Sequence, residues 1–246
     1  MSVANVQFFS PALNQHIQYS VILPREGAGP YPVLLQLHGL TDDHNAWIQK
    51  SNLVRHVERY PMLVVMPNGG TSGYLNLIAT ERSLDIDERI GVARYEDAIV
   101  GDLREHVSRI FNVRTGPWAI GGLSMGGFGA MRLGLKYPDR FSSIWAHSSA
   151  FRIGWLMADR TPDAADALVL THAQRLNAQA SLPEISFDCG VDDELIGENR
   201  ELHAQLDQLG LPHHYAEHPG AHTWDYWDLH VQTALAQHAG VFGLTT

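Results

Sequence analysis

Residues 118–131 read Trp-Ala-Ile-Gly-Gly-Leu-Ser-Met-Gly-Gly-Phe-Gly-Ala-Met, and no other stretch of the chain restricts the fold as tightly. Gly122, Ser124 and Gly126 satisfy the G-x-S-x-G spacing of a sharp strand-to-helix turn that exposes a serine hydroxyl. The constraint is steric. A serine held in so strained a conformation leaves no room for side chains two residues away on either side, so glycine is needed at both places. The flanks agree, because 118–120 reads as a buried strand and 128–137 as a helix stopped by Pro138. A phosphate loop is the other use of such glycines. Neither G-x-G-x-x-G nor a Gly-Lys-Ser/Thr ending is present, which disfavours it.

A serine hydroxyl needs a base within hydrogen-bond reach, and the base needs an acid to fix its tautomer. On a strand–elbow–helix scaffold the chain order is serine, acid, histidine, each on a loop after a strand. Asp192 and Asp193 follow an apolar strand at 185–189, and either fits the acid's place. His222, after Pro219-Gly220-Ala221 and just before a helix, fits the base's place. The loop after the strand at 33–37 reads His38-Gly39-Leu40-Thr41-Asp42-Asp43, so the amides of Leu40 and Met125 are the expected oxyanion donors.

Other chemistries are weaker. Asp42, Asp43 and His44 could ligate a metal, but an acidic loop capping the next helix is the commoner use of such a cluster. His214, Glu217 and His218 match the H-x-x-E-H pattern of one zinc-protease class. That chemistry needs a helix. Pro212 and Pro219-Gly220 bracket a short strand instead, on which positions four apart are separated by about 13 Å. His38 reads as a residue that orients its loop.

Between these points strands and helices alternate from residue 33 onward. Strands are expected at 33–37, 62–66, 118–120, 141–147, 185–189 and 213–217, and helices at 45–60, 95–111, 128–137, 198–209 and 223–239. Two short strands at 6–9 and 17–23 precede them as an antiparallel pair. The expectation is an α/β fold with a mostly parallel sheet of about eight strands, helices on both faces, and a single domain over 1–246. Two segments interrupt the alternation. The loop from Pro67 to Arg94 carries Tyr74 and Asn76 as candidates for lining a pocket. A cap-like insertion at about 152–182, with a helical stretch near 163–179, carries Trp155.

Net charge of −10 argues against nucleic acid or an anionic membrane as partner. No apolar run reaches transmembrane length, and residues 1–10 lack the features of a signal peptide. The single cysteine, Cys189, suits a reducing compartment, so a cytoplasmic location is expected.

Four blocks in this order resemble the esterase D branch of the α/β hydrolases. They are residues 35–47 (LQLHGLTDDHNAW), 122–130 (GLSMGGFGA), 189–195 (CGVDDEL) and 220–227 (GAHTWDYW). The resemblance spans nearly the whole chain and, through His44-Asn45-Ala46-Trp47, is closest to the small bacterial tributyrin-type esterases. Its C-G-x-x-D pattern places the acid at Asp193. It implies Ser124, Asp193 and His222 as catalytic residues, Leu40 and Met125 as amide donors, no cofactor or catalytic metal, and a homo-oligomer. Tyr74, Trp155 and Trp224 are the candidate substrate contacts. A Trp-Tyr pair expected after Gly69-Gly70 appears here as Gly73-Tyr74. The expected activity is hydrolysis of short-chain carboxylic esters, acetyl or feruloyl esters of sugars among them. The alternatives are an S-formylglutathione-type thioesterase, whose usual Ser-Gly-Leu-Thr-Cys block is His38-Gly39-Leu40-Thr41-Asp42 here, an acyltransferase to a sugar alcohol, and a non-enzymatic binding protein.

Overall fold

Successive residues of a strand face opposite sides of a sheet, and in the central strands both sides are apolar. In β3 (Val33–Leu37), Val33, Leu35 and Leu37 enter one core and Leu34 enters the other. The computed structural model of the protein describes residues 1–25, 27–78, 93–176 and 182–244. Among these, the main sheet has eight strands in the order β1-β2-β4-β3-β7-β8-β9-β10. β1 (Ser2–Ser10) and β2 (Gln15–Leu23) form the expected antiparallel pair, and β2 lies antiparallel to β4 (Leu63–Pro67). From β4 onward every neighbour is parallel, through β3, β7 (Trp118–Leu123), β8 (Phe141–His147), β9 (Glu184–Gly190) and β10 (His214–His218). This is the architecture of an α/β hydrolase.

Two layers of helices close the two cores. On one side lie α1 (Ala46–Lys50), α2 (Leu53–Val57) and α8 (Trp224–Val241), packing Trp47, Leu53, Trp227 and Leu235 beneath Leu34 and Val64. On the other lie α3, which is helical over 95–110 with a π-helical middle at Ala98–Leu103, α4 (Met125–Lys136), α6 (Val169–Leu176) and α7 (Ile196–Leu209). Their Ile99, Leu103, Phe128, Met131 and Leu206 meet Leu35 and Ile120.

Three expectations change. The helix expected at 45–60 is two short helices, broken where Ser51 hydrogen-bonds the Trp47 carbonyl and Asn52 is drawn to Asp228 by bonds of 2.7 Å from both its amide and its side chain. Polar side chains that bond the backbone compete with helix continuation in this way. The loop from Pro67 to Arg94 contains a small ladder, β5 (Asn76–Leu77) against β6 (Ala93–Arg94), while 79–92 lie outside the described residues. In the insertion, α5 (Ile153–Met157) and two 3-10 turns, Ala158–Arg160 and Ala164–Ala167, come before α6. The helical stretch expected near 163–179 thus starts late, because Asp163 caps the second turn at Ala165 and Leu168 is extended; 177–181 lie outside the described residues.

Arg132 of α4, buried, fastens this insertion. Its guanidinium donates to the Asp166 carbonyl at 2.7 Å and pairs with Glu96 at 2.7 Å and the Asp166 carboxylate at 2.5 Å.

Candidate active site

The carboxyl ends of β3, β7, β9 and the final strand converge on one edge, where open parallel sheets carry their sites. Ser124 stands between β7 and α4 at φ 53° and ψ −116°, outside the ordinary regions for a side-chain-bearing residue. Its neighbours hold it there. The Ser124 amide donates to the His147 carbonyl at 2.9 Å, and its own carbonyl accepts from Phe128 at 3.0 Å and Ala150 at 3.2 Å. Both glycines of the elbow are sterically required. A Cβ on Gly122 would meet the Gly126 carbonyl oxygen at 2.4 Å, and one on Gly126 would meet the His38 carbonyl oxygen at 2.5 Å.

Nε2 of His222 lies 3.1 Å from Oγ of Ser124, and Nδ1 lies 2.9 Å from Oδ2 of Asp193. Asp193 is buried, and its Oδ1 accepts the Leu195 amide at 2.8 Å. Burial alone would push this carboxyl up; the bonds from His222 and Leu195 outweigh it and hold the group below its ordinary value. An ionised carboxylate on Nδ1 orients the imidazole so that Nε2 presents its lone pair to the serine. Asp192, the other acid open to the sequence, is exposed, and its amide rather than its carboxylate is engaged, at the Gly220 carbonyl. The ring of Trp227 stands edge-on to His222 at 4.9 Å.

Opposite the histidine, the loop after β3 turns back through a Gly39–Asp42 hydrogen bond with Thr41 at φ 70°. His38 anchors it. Nε2 accepts the Gly69 amide at 2.9 Å, which leaves Nδ1 to donate to the Gly39 carbonyl at 2.7 Å. Burial holds this imidazole below its ordinary pKa, so the neutral tautomer is the clamp. Leu40 is exposed at the tip, and Met125 opens α4, where an amide has no partner in its own helix. Among the described residues neither amide finds a protein acceptor. The acidic stretch caps α1: the Asp43 carboxylate accepts the Asn45 amide at 2.7 Å and its carbonyl accepts Ala46 at 3.2 Å.

The three candidate substrate contacts fare differently. Tyr74, at φ 57°, is fully buried under the loop and donates to the His38 carbonyl at 2.9 Å; it supports the loop after β3 rather than lining a pocket. Tyr74→Phe is expected to cost about 1 kcal/mol in urea unfolding, the value of one such bond, and to lower kcat several-fold. Trp155, 71% exposed, borders a cavity of about 220 Å³ between α5, α6 and α7 whose lining includes neither Ser124 nor His222. Trp224 stands edge-on to Trp47 at 5.2 Å and to Trp227 at 5.3 Å, one ring further from His222.

Supporting residues went unread in the sequence. Asn199 ties the first turn of α7 to the serine's surroundings, donating to the Ser149 carbonyl at 3.0 Å and the Leu195 carbonyl at 2.9 Å. Asp188, buried in β9, accepts from Trp145 at 2.5 Å and Tyr226 at 2.8 Å and pairs with Nδ1 of His147 at 2.7 Å. These partners are 38–43 residues away, so only the folded sheet brings them together.

A serine on such an elbow, with a histidine–carboxylate pair in reach and amides without a protein acceptor at Leu40 and Met125, fits the serine-hydrolase class on this fold. The family profile described as "Putative esterase" matches residues 10–238, and the chain belongs to that family of carboxylesterases. It is 29% identical to an acetyl esterase of Caldicellulosiruptor saccharolyticus over 96% of this chain and 97% of the relative. Among solved structures, an S-formylglutathione hydrolase of Agrobacterium tumefaciens superposes with a TM-score of 0.84 at 20% identity, covering 97% of this chain and 94% of the other. The fluorophosphonate-binding serine hydrolase F of Staphylococcus aureus gives 0.83 at 22% identity over 96% and 98%. Those two likenesses are of fold. No helix among the described residues is long and apolar enough to cross a membrane.

Proposed function

We propose that the protein hydrolyses carboxylic esters with short acyl chains, acetyl esters foremost, through a covalent acyl-serine. The observation that carries this reading is the unbroken relay from Ser124 through His222 to buried Asp193, at 3.1 and 2.9 Å. Both are hydrogen-bond distances: the first suits proton transfer from the serine to the base, and the second fixes the imidazole and its charge. His222 takes the hydroxyl proton at Nε2 as Ser124 Oγ attacks the ester carbonyl. Asp193 stabilises the imidazolium. The amides of Leu40 and Met125 receive the oxyanion, each contributing about 3 kcal/mol in the transition state. His222 then protonates the departing alkoxide; in the second half it takes a proton from water as the hydroxide attacks the acyl carbon, and returns that proton to Ser124 Oγ as the acid leaves.

Two features bear on the substrate. The relative named for acetyl esters supports a small acyl group. The insertion starts beside the nucleophile, since Ala150 donates to Ser124 and Ile153 in turn donates to Ala150 at 3.1 Å, so we assign the described part of the 152–182 insertion, 152–176, to the border of the substrate site. We also expect a cytoplasmic protein, in keeping with the lone buried Cys189, and a homo-oligomer, which light scattering tests.

Initial rates on p-nitrophenyl esters from C2 to C12 test the reading, with Ser124→Ala measured alongside. A maximum at C2–C4 that vanishes in the variant is expected. Activity that survives in Ser124→Ala overturns the serine mechanism. A maximum on acyl-glutathione, or diversion of the acyl group to an added sugar acceptor, would replace hydrolysis of oxygen esters by the corresponding alternative.

A further inference from the structure

At the opposite end of the sheet from Ser124, the last turn of α7 faces the start of β10. His203 and Asp207 lie four apart on α7 and so share one helical face. Gly210, left-handed at φ 65°, ends the helix, and the Leu211 amide bonds back to the Leu206 carbonyl at 3.0 Å. That closure returns the chain so that His213 meets the same face. One ligand atom from each of the three residues lies within 4.8 Å of the others.

We propose that His203, Asp207 and His213 form a site for a divalent transition metal of the zinc class, separate from the ester-cleaving machinery. The chemistry of the donors selects the ion. Two imidazoles and one carboxylate suit zinc, cobalt or nickel, whereas calcium and magnesium take all-oxygen sets. His213 is prepared as a ligand. Its Nδ1 donates to the Leu211 carbonyl at 2.8 Å, the outer bond that metal-bound histidines make, and its Nε2 is left with a lone pair. The ring is 3% exposed and stacks on Phe187 at 5.8 Å, so its direction is fixed.

Nδ1 of His203 stands 2.8 Å from that lone pair and therefore donates to it. Its other nitrogen is 3.5 Å from the Asp207 carboxylate, and that carboxylate is 3.9 Å from Nε2 of His213. A metal ion takes the place of the shared proton, and His203 stays neutral by carrying its proton on Nε2, the nitrogen that faces the Asp207 carboxylate. Tetrahedral zinc at about 2.0 Å from each nitrogen spaces them roughly 3.3 Å apart. The rings must open by about half an ångström, a shift that His203, 39% exposed, can make. Water fills the remaining position on the exposed side.

His203 and Asp207 lie seven and eleven residues beyond Ile196, about 10 and 17 Å along α7 from the end next to Asp193, too far for the ion to touch the ester. Its effect is on the frame. The ion ties the end of α7 to the start of β10, and the other ends of these two elements carry Asp193 and His222.

Chelator-treated protein titrated with zinc chloride, by calorimetry and by thermal melting, tests the site. Wild type is expected to take up one zinc at this place, and at zinc near 100 times Kd to melt about 5–10 °C higher. Asp207→Asn and His203→Gln, both outside the buried core, are expected to weaken binding at least about tenfold and to remove the shift. Their metal-free rates on p-nitrophenyl acetate should equal wild type, which verifies the fold. Cobalt should give the visible bands of a tetrahedral site in wild type and lose them in Asp207→Asn. Absence of binding, or equal binding and equal shifts in wild type and both variants, overturns the assignment.

Discussion

Asp193→Asn is expected to lower kcat on p-nitrophenyl acetate by about four orders of magnitude, as carboxylate-to-amide replacement does in other serine–histidine triads. The chemistry is one of tautomers. An asparagine can present its NH₂ to Nδ1 of His222, which leaves the imidazole proton on Nε2, facing Ser124 where a lone pair is required. Asp192→Asn should stay within about twofold of wild type, because Asp192 is exposed and only its amide is engaged, with Gly220. Far-UV circular dichroism and urea unfolding of both variants separate a catalytic loss from a folding loss. Equal kcat values for the two would reassign the acid.

That pair of aspartates also marks how far the sequence could be read. Spacing brought the acid to a two-residue window, and the family pattern chose within it. In the structure Asp193 is buried under the Leu195 amide while Asp192 is exposed. The elbow was legible for a local reason: a serine at φ 53° and two glycines packed against carbonyl oxygens leave a mark within five residues. The strands were legible because an apolar run buried on both faces has no other common reading. The supports were not. Tyr74 looked like a pocket residue because a tyrosine in a glycine-rich loop carries no local sign of burial. Its place is set by His38, 36 positions away. Asp188 was hidden within an apolar strand, and its three donors come from β8 and α8. The break at Ser51-Asn52 depends on Asp228, 176 residues further on. Periodicity reports what a segment buries, whereas these residues report which segments meet.

Acidification should unfold the protein in two stages, the first below about pH 6.5 and driven by histidines that are buried neutral. His238 is fully enclosed, with Nδ1 bonded to the Ser143 hydroxyl at 2.8 Å, and burial, assisted by nearby His147, pushes its pKa down to about 3. In the unfolded chain the same ring titrates near 6.5. Between these values the unfolded state holds a proton that the native state refuses, so stability falls with falling pH at about 1.4 kcal/mol per pH unit. From pH 6.5 to 4.5 this one ring accounts for roughly 2.5 kcal/mol. Burial shifts His38, His172 and His230 in the same direction and steepens the loss. The second stage belongs to Asp188 and Asp193, whose hydrogen-bonded partners outweigh burial and hold them below the ordinary carboxylate value. Their contribution is complete above the unfolded carboxyl pKa of about 3.9 and is lost as pH falls through the lower native values. Urea unfolding at intervals from pH 8 to pH 4.5 reads the first stage as a slope. His238→Gln keeps a partner for Ser143 and removes the titrating ring, so its slope should be shallower by close to one proton whatever its stability at pH 8. A wild-type stability that is flat between pH 7 and pH 5 would mean that these rings reach solvent and charge in the folded protein.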